Sequence, residues 1–204
     1  MSFHKTVEHK FVPVPENKRI QTLPFLLAST ESIIPLLDML GRNAFAMVKS
    51  DINGNLKRVR KRYDEDPDKY STLADIIEVE VQDCTALKSN STTEALLWLS
   101  RALDFVSTIL KNLFEGNVKD NSIVPALSAA YKVTLEVYHN WFVKKAVEVA
   151  FHAAPYYSDL IQKLSNGESE ETVLKDVKEY QACLQKHVSI IQELFVSNGL
   201  DPKK

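Results

Sequence analysis

Residues 92 to 115 carry the most regular hydrophobic pattern in this sequence, because apolar side chains recur there every three or four positions. The main stripe consists of Leu96, Leu99, Leu103, Val106, Leu110 and Leu113. Gly116 follows, at the position where a glycine commonly ends a helix. A second apolar strip beside the first contains Trp98, Phe105 and Ile109. A helix that is apolar on two sides is buried between layers, or packs on one side and lines an apolar cavity on the other.

The rest of the chain also has helical periodicity, with short breaks and no convincing pair of strands. Further helices are predicted at about residues 23 to 41, with a kink at Pro35, at 44 to 63, from about 71, at 125 to 154, shortly after Pro155, and at 169 to 197. In the helix near residue 71, one side carries Leu73, Ile76, Ile77 and Val81. A chain of 204 residues with 45% hydrophobic content and few glycines fits one globular domain. We therefore predict a single all-α domain over residues 1–204, with residues 1–21 as a partly irregular N-terminal extension.

Composition and motifs exclude several classes of function. A formal net charge of −2 gives no overall attraction to nucleic acid. The two cysteines, Cys84 and Cys183, lack metal-ligand spacing and suit a reducing cytosol. The sequence has no signal peptide and no long uncharged stretch, so we expect a cytoplasmic protein. It also has no phosphate loop, zinc motif or serine elbow, so we expect no metal, no cofactor and no enzymatic reaction.

The stretch DINGNLKRVRKRY, at residues 51 to 63, is open to three interpretations. Asn53-Gly54 is a turn signal, whereas the residues after Asn55 favour a helix. If the whole stretch is helical, Asp51, Asn55 and Arg58 share one face and offer an acceptor, an amide and a cationic donor to several hydroxyl groups. Alternatively, Asp51 caps a helix whose basic residues are simply solvated. A nucleic-acid surface is the weakest interpretation, because acidic residues follow at once and aromatic residues are not interleaved.

The segment 125 to 154 is apolar on more than one side and also contains His139. A lone histidine among aromatic residues is more often a satisfied core residue than a catalyst. Asp51 and His139 could form an acid/base pair, but no nucleophile accompanies them.

Three motifs occur along the chain: DINGN with Arg58, LLWLSRAL at residues 96 to 103, and YHNWFVKK followed by AAPYYSDL between residues 138 and 160. Together they resemble the glycolipid transfer protein family. The resemblance runs from about Leu23 to the last helix. It implies an all-α, two-layer helical sandwich that encloses an apolar lipid tunnel, and non-vesicular transfer of glycosphingolipids between membranes without catalysis. An alternative role is a glycolipid sensor that signals occupancy to a protein partner.

The resemblance also implies roles for individual residues. Gly54 would lie inside a helix, and the headgroup would be bound by Asp51, Asn55, Arg58, Trp98 and His139. In these roles Asp51 accepts hydrogen bonds from the ceramide amide and a sugar hydroxyl, Trp98 stacks under the first sugar, and His139 donates to the ceramide carbonyl. Arg58 stands where the family commonly has lysine, which changes the geometry of the contact.

Two further sets of residues follow from the same resemblance. The lipid tunnel is expected to be lined by Phe45, Val48, Phe105, Ile109, Tyr131 and Leu135. Contact with a transient membrane surface is expected from Trp141, Lys145 and Tyr157. Trp141 lies two residues after His139, so a continuous helix would place these two side chains on different faces.

The expected ligand is a neutral glycosphingolipid, namely galactosyl-, glucosyl- or lactosylceramide, bound by a monomer. A ceramide phosphate would need several cations, whereas Arg58, with Arg101 as a neighbour, is opposed by Asp51. Two departures from relatives are visible. The chain ends in SNGLDPKK, without the tyrosine that closes over the site in some relatives, and PLLDML lacks the paired phenylalanines of a receptor-docking motif.

Overall fold

The computed structural model describes residues 6–116 and 118–201, and this part of the chain is helical without extended strands. The α-helices are α1 (Thr22–Ala28), α2 (Ile34–Gly41), α3 (Ala46–Glu65), α4 (Leu73–Gln82), α5 (Thr92–Phe114), α6 (Val124–Thr134), α7 (Trp141–Phe151), α8 (Tyr157–Ser165) and α9 (Glu170–Ser197). A π-helical turn, Ser29–Ile33, joins α1 to α2, and a 3₁₀ turn, Glu136–Tyr138, follows α6. The N-terminal extension is partly described, since residues 1–5 lie outside the described part, as do residues 202–204 of the C-terminal stretch.

Helix α5 is the centre of the fold, as its two apolar strips predicted. It packs most extensively against α9, α3 and α6. The side chains of Leu96, Leu99, Leu103 and Val106 are fully buried. The predicted all-α architecture, a two-layer helical sandwich, is confirmed.

Capping residues fix where the helices begin and end. Thr72 and Asp75 form a reciprocal capping box at the start of α4. The side chains of Ser91 and Ser169 accept hydrogen bonds from backbone N–H groups in the first turns of α5 and α9. After α5, Gly116 adopts a φ of 90°, which is the left-handed conformation that glycine tolerates best.

The predicted kink at Pro35 takes the form of the π-helical turn that precedes it. Proline has no backbone N–H and its ring crowds the preceding turn of an α-helix. The wider turn at Ser29–Ile33 absorbs this conflict, and α2 begins at Ile34, with proline in its first turn.

The prediction of one helix over residues 125 to 154 is wrong, because the structure has two helices there. Helix α6 ends at Thr134, and His139 has extended backbone angles of φ −99° and ψ 140°. Asn140 then caps α7, since its side chain accepts a hydrogen bond from the Val143 N–H. His139 and Trp141 therefore belong to different backbone segments rather than to two faces of one helix.

The apolar side of α4 that the sequence indicated is buried at Leu73, Ile76 and Ile77 but not at its last member, Val81. Val81 is exposed, whereas Glu80 is only 2% exposed. The Glu80 carboxylate accepts hydrogen bonds from the backbone N–H groups of Thr92 and Thr93, at 3.0 and 2.8 Å. This buried acid therefore anchors the N-terminus of α5, where the unpaired N–H groups of a helix favour negative charge.

The N-terminal extension is irregular but packs on the core. The Phe11 ring contacts the rings of Phe25, Tyr180 and His187 at centroid distances of 6.0, 6.0 and 5.0 Å. Nearby, Glu8, His9 and Glu31 bring potential metal ligands together, but His9 already bonds the Glu31 carboxylate at 2.8 Å.

Among the described helical segments, Thr22–Gly41 is long and apolar enough to cross a membrane, by length and composition alone. Half of it is buried inside the structure. Its apolar side chains Phe25, Ile33 and Leu37 lie in the core, so packing accounts for the hydrophobicity of this stretch.

Candidate functional site

A cavity of about 500 Å³ opens between α3, α5 and the α6–α7 region. Along α3 and the residues just before it, the lining changes from Ala44, Met47 and Val48 to polar residues that begin at Asp51. The lining of α5 changes in the opposite sense, because Glu94 and Trp98 precede Ala102 and Phe105. The two helices run antiparallel, with Arg58 beside Glu94 at one end and the ring of Phe45 beside that of Phe105 at the other. The cavity thus has a polar end and an apolar end.

Helix α3 presents Asp51, Asn55 and Arg58 together at the polar end. The Asn55 side-chain amide donates to the Asp51 carboxylate at 3.2 Å. The predicted helical position of Gly54 is confirmed. The spacing of four and then three residues therefore places an acceptor, an amide and a guanidinium on one face, as the helical interpretation required.

Two opposing influences act on the pKa of Asp51. Solvent reaches this residue through the open cavity, yet surrounding protein partly desolvates its carboxylate and raises its pKa above the ordinary value of 3.8. The hydrogen bond from Asn55 and the nearby His139 and Arg58 oppose this rise. The result is a strong acceptor that is incompletely satisfied by its own neighbours.

His139 lines the same end of the cavity, opposite α3. Its Nδ1 lies 2.8 Å from the hydroxyl of Tyr131. Partial burial lowers the pKa of His139, an effect that Asp51 opposes and Lys144 reinforces. Burial also raises the pKa of Tyr131 to about 12, so the phenol keeps its proton. In the tautomer in which Tyr131 donates to Nδ1, the His139 Nε2–H is the histidine's donor.

Trp98 lines the cavity as a half-buried ring, and Arg101 lies behind it. The Arg101 guanidinium is 4.8 Å from the centroid of the Trp98 ring and 3.7 Å from that of Tyr138. It also forms a buried ion pair with Asp201 at 2.9 Å. The expectation that Arg101 is a neighbour of Arg58 in the headgroup pocket is wrong, because Arg101 lines a second, smaller cavity instead.

The sequence pattern did not identify Glu94, Ser89 and Asn90, which also line the polar end. Glu94 Oε2 lies 3.7 Å from Arg58 Nη1 and accepts a hydrogen bond from the Asn90 backbone N–H at 2.7 Å. The only signal for Glu94 in the sequence is its position three residues after Ser91, which is typical of a helix start rather than of a binding residue.

The apolar end contains four of the six residues expected to line a tunnel. Val48, Phe105, Tyr131 and Leu135 line the cavity, together with Ala102, Val143, Ala146, Val147, Ala150 and Phe151. Phe45 and Ile109 do not line it. Both are fully buried, and the Phe45 ring packs behind the lining, 6.2 Å from the ring of Phe151.

The expected membrane-contact residues lie on two helices. Trp141, at the start of α7, is 64% exposed, and its ring contacts that of Phe142, which is 76% exposed. Lys145, one turn later, is exposed and pairs with Glu148 at 2.7 Å. Tyr157 begins α8, is only partly exposed, and donates its hydroxyl to Glu170 at 3.4 Å.

The helical fold and the cavity with one polar and one apolar end define an all-α lipid-binding architecture. Comparison with known proteins identifies the family. The family model "Glycolipid transfer protein (GLTP)" matches residues 20–166. The glycolipid transfer protein of Danio rerio is 33% identical over 201 residues, which cover 96% of each chain. The chain belongs to the glycolipid transfer protein family, a family of lipid transfer proteins.

Other relatives are longer. Pleckstrin homology domain-containing family A member 8 of Homo sapiens is 34% identical over 209 residues. The match covers 98% of this chain but only 40% of that relative.

Solved structures show the same fold. The GLTP-fold of FAPP2, described as selecting simple glycosphingolipids, superposes with a TM-score of 0.89 at 32% identity over 100% of this chain and 99% of that one. HET-C2, a fungal glycolipid transfer protein, superposes with a TM-score of 0.84 at 31% identity, over 96% of this chain and 97% of that one. Mouse ceramide-1-phosphate transfer protein superposes with a TM-score of 0.84 at 24% identity, over 92% of each chain. This similarity concerns the fold alone.

Proposed function

We propose that this protein moves glycosphingolipids between membranes by non-vesicular transfer, without changing them chemically. The observation that carries the proposal is the cavity, which joins a cluster of hydroxyl-binding side chains to an apolar lining. This pairing matches a lipid with a sugar headgroup and hydrocarbon chains. Membership of the glycolipid transfer protein family supports the same conclusion.

The apolar end removes the main barrier to lipid exchange. A two-chain ceramide has on the order of thirty methylene groups, and exposing them to water at about 0.8 kcal/mol each would cost roughly 20 kcal/mol. An apolar cavity replaces the bilayer as the surroundings of the chains. Because this exchange favours neither location strongly, the headgroup contacts determine which lipid is chosen.

The polar end supplies those contacts. The Asp51 carboxylate accepts from the ceramide amide and a sugar hydroxyl, and Asn55 and Arg58 bind further hydroxyls. The ring of Trp98 supports the apolar face of the first sugar. His139 donates to the ceramide carbonyl, with Tyr131 setting its tautomer. The preferred ligands are galactosyl-, glucosyl- and lactosylceramide.

Loading takes place at a membrane surface through α7, where Trp141 presents an aromatic ring beside the cationic Lys145. We propose that Tyr157, at the start of α8, also contacts the membrane. We propose that a monomer acts in the cytoplasm, where a reducing environment suits the two free cysteines of the described chain, Cys84 and Cys183.

Two measurements test the proposal. Galactosylceramide transfer between donor and acceptor vesicles is expected to exceed the amount of protein many times over. Stoichiometric binding without turnover would support a sensor instead, and a chemically altered lipid would indicate an enzyme. Mass spectrometry of lipid retained on the purified protein is expected to show an intact glycosphingolipid.

A further inference from the structure

Acidic groups outnumber basic ones at the polar end of the cavity. Its charged lining residues are the carboxylates of Asp51 and Glu94 and the guanidinium of Arg58. His139 also lines this end, and partial burial favours its neutral form. The charged side chains that line this end, two carboxylates and one guanidinium, therefore sum to a net negative charge near neutral pH.

Glu94 is held where it can influence what binds. It lies in the first turn of α5, one helical turn before Trp98, so the two side chains share a face of that helix. The backbone N–H of Asn90 donates to its carboxylate at 2.7 Å, and Arg58 approaches the same oxygen to 3.7 Å. Glu94 thus partly offsets the positive charge of Arg58.

We infer that Glu94, with Asn90 and Ser89, forms a second sugar subsite beside the Trp98 platform, which accepts an uncharged hexose and disfavours anionic headgroup substituents. The inference rests on the proposed function and extends it to the choice among glycolipids. A carboxylate, an amide and a hydroxyl are suited to bind the hydroxyl groups of a hexose. A sulfate, phosphate or sugar carboxylate at this position would meet Glu94 and Asp51, with one shared cation to offset it.

The test compares Glu94→Gln with a matched control, Glu179→Gln. The control alters the net charge equally at an exposed position of α9 that does not line the cavity. Transfer of galactosylceramide, lactosylceramide and 3-sulfogalactosylceramide is measured between phosphatidylcholine vesicles. Glu94→Gln is expected to raise the ratio of sulfated to unsulfated galactosylceramide transfer by about fivefold to tenfold, because it removes one like charge from the site. Glu94→Lys is expected to raise this ratio further, and Glu179→Gln is expected to leave it unchanged.

The same variants report on the uncharged second sugar. Lactosylceramide transfer relative to galactosylceramide transfer is expected to fall severalfold in Glu94→Lys, because the lysine cannot accept a hydrogen bond. Thermal melting of each variant verifies that it is folded.

Two results would overturn the inference. One is an equal ratio of sulfated to unsulfated transfer in Glu94→Gln, Glu94→Lys and Glu179→Gln. The other is a wild-type protein that moves the sulfated lipid as fast as galactosylceramide. A wild-type protein that moves no glycolipid would instead refute the proposed function, so the two failures are distinguishable.

Discussion

The hydroxyl of Tyr131 lies 2.8 Å from Nδ1 of His139, and this contact joins the end of α6 to the segment that leads into α7. The pKa of Tyr131 is raised to about 12, so the phenol remains a donor. The lowered pKa of His139 favours its neutral form, in which one ring nitrogen accepts and the other donates. When the phenol donates to Nδ1, the ring proton lies on Nε2, and this is the donor that the proposed ceramide contact requires.

Tyr131→Phe is therefore expected to slow galactosylceramide transfer about fivefold, since a lost hydrogen bond of this kind contributes roughly 1 kcal/mol. The vesicle transfer assay measures the effect. Tyr63→Phe, at the far end of α3, is the control and should transfer at the wild-type rate. Equal rates for Tyr131→Phe and the wild type would show that His139 does not depend on this tyrosine.

The raised pKa of Asp51 predicts that this residue reduces the stability of the lipid-free protein. A carboxyl group whose pKa is raised on folding is ionised less readily in the folded than in the unfolded chain. It therefore does not reduce stability below its ordinary pKa of 3.8, where it is protonated in both states, and it lowers the free energy of unfolding as the pH rises through the raised value. Asp51→Asn should therefore raise the melting temperature at about pH 7, and the gain should shrink toward about pH 4.

Asp68→Asn provides the control for Asp51→Asn. Asp68 is an exposed carboxylate in the turn before α4, and its substitution changes the net charge equally. A melting temperature that rises by the same amount in both variants would attribute the effect to net charge rather than to the site.

Gly54 lies in the interior of α3, and a Cβ atom added there would meet no atom within 4 Å. Glycine in a helix costs about 1 kcal/mol relative to alanine. Gly54→Ala is thus expected to raise the free energy of unfolding by about 1 kcal/mol, as measured by urea denaturation. A destabilised variant would mean that α3 needs the freedom of glycine. Gly116→Ala is the contrasting variant, because its φ of 90° makes any side chain unfavourable.

Trp141→Ala tests the membrane-contact surface. The ring is 64% exposed, so its removal should leave the melting temperature nearly unchanged while vesicle association and transfer both fall. Vesicle flotation measures the association. Val196→Ala removes an exposed apolar side chain from α9 and should leave flotation unchanged. If Trp141→Ala floats with vesicles as well as the wild type, this ring does not dock the protein.

Local patterns in the sequence predicted most of the helices and the helical face that carries Asp51, Asn55 and Arg58. Those patterns work because helix periodicity and capping residues such as Ser91 act over a few residues. The break before α7 was missed because residues 135 to 139 continue an apolar helical pattern. Only the capping asparagine at position 140 signals the end of that pattern.

Contacts between distant residues could not be predicted from local pattern. The approach of Arg58 to Glu94 depends on the antiparallel packing of α3 on α5. The ion pair of Arg101 with Asp201 joins positions 100 residues apart and holds Arg101 outside the headgroup pocket in which it was expected. The same helix packing places Phe45 behind the cavity wall. Hydrophobic spacing identifies buried side chains, but it does not separate those that line a cavity from those that support it.

We propose that the polar end of the cavity selects a neutral sugar headgroup through Asp51 and Trp98. The most direct measurement is vesicle transfer of galactosylceramide and of ceramide phosphate by the wild type, Asp51→Val and Trp98→Ala. The wild type is expected to transfer galactosylceramide rapidly and ceramide phosphate little or not at all. Glycolipid transfer should be nearly abolished in both variants, since each unpaired polar group in the site costs about 1–3 kcal/mol. Ceramide phosphate moving as fast as galactosylceramide, or intact glycolipid transfer by Asp51→Val, would contradict this selection of the headgroup.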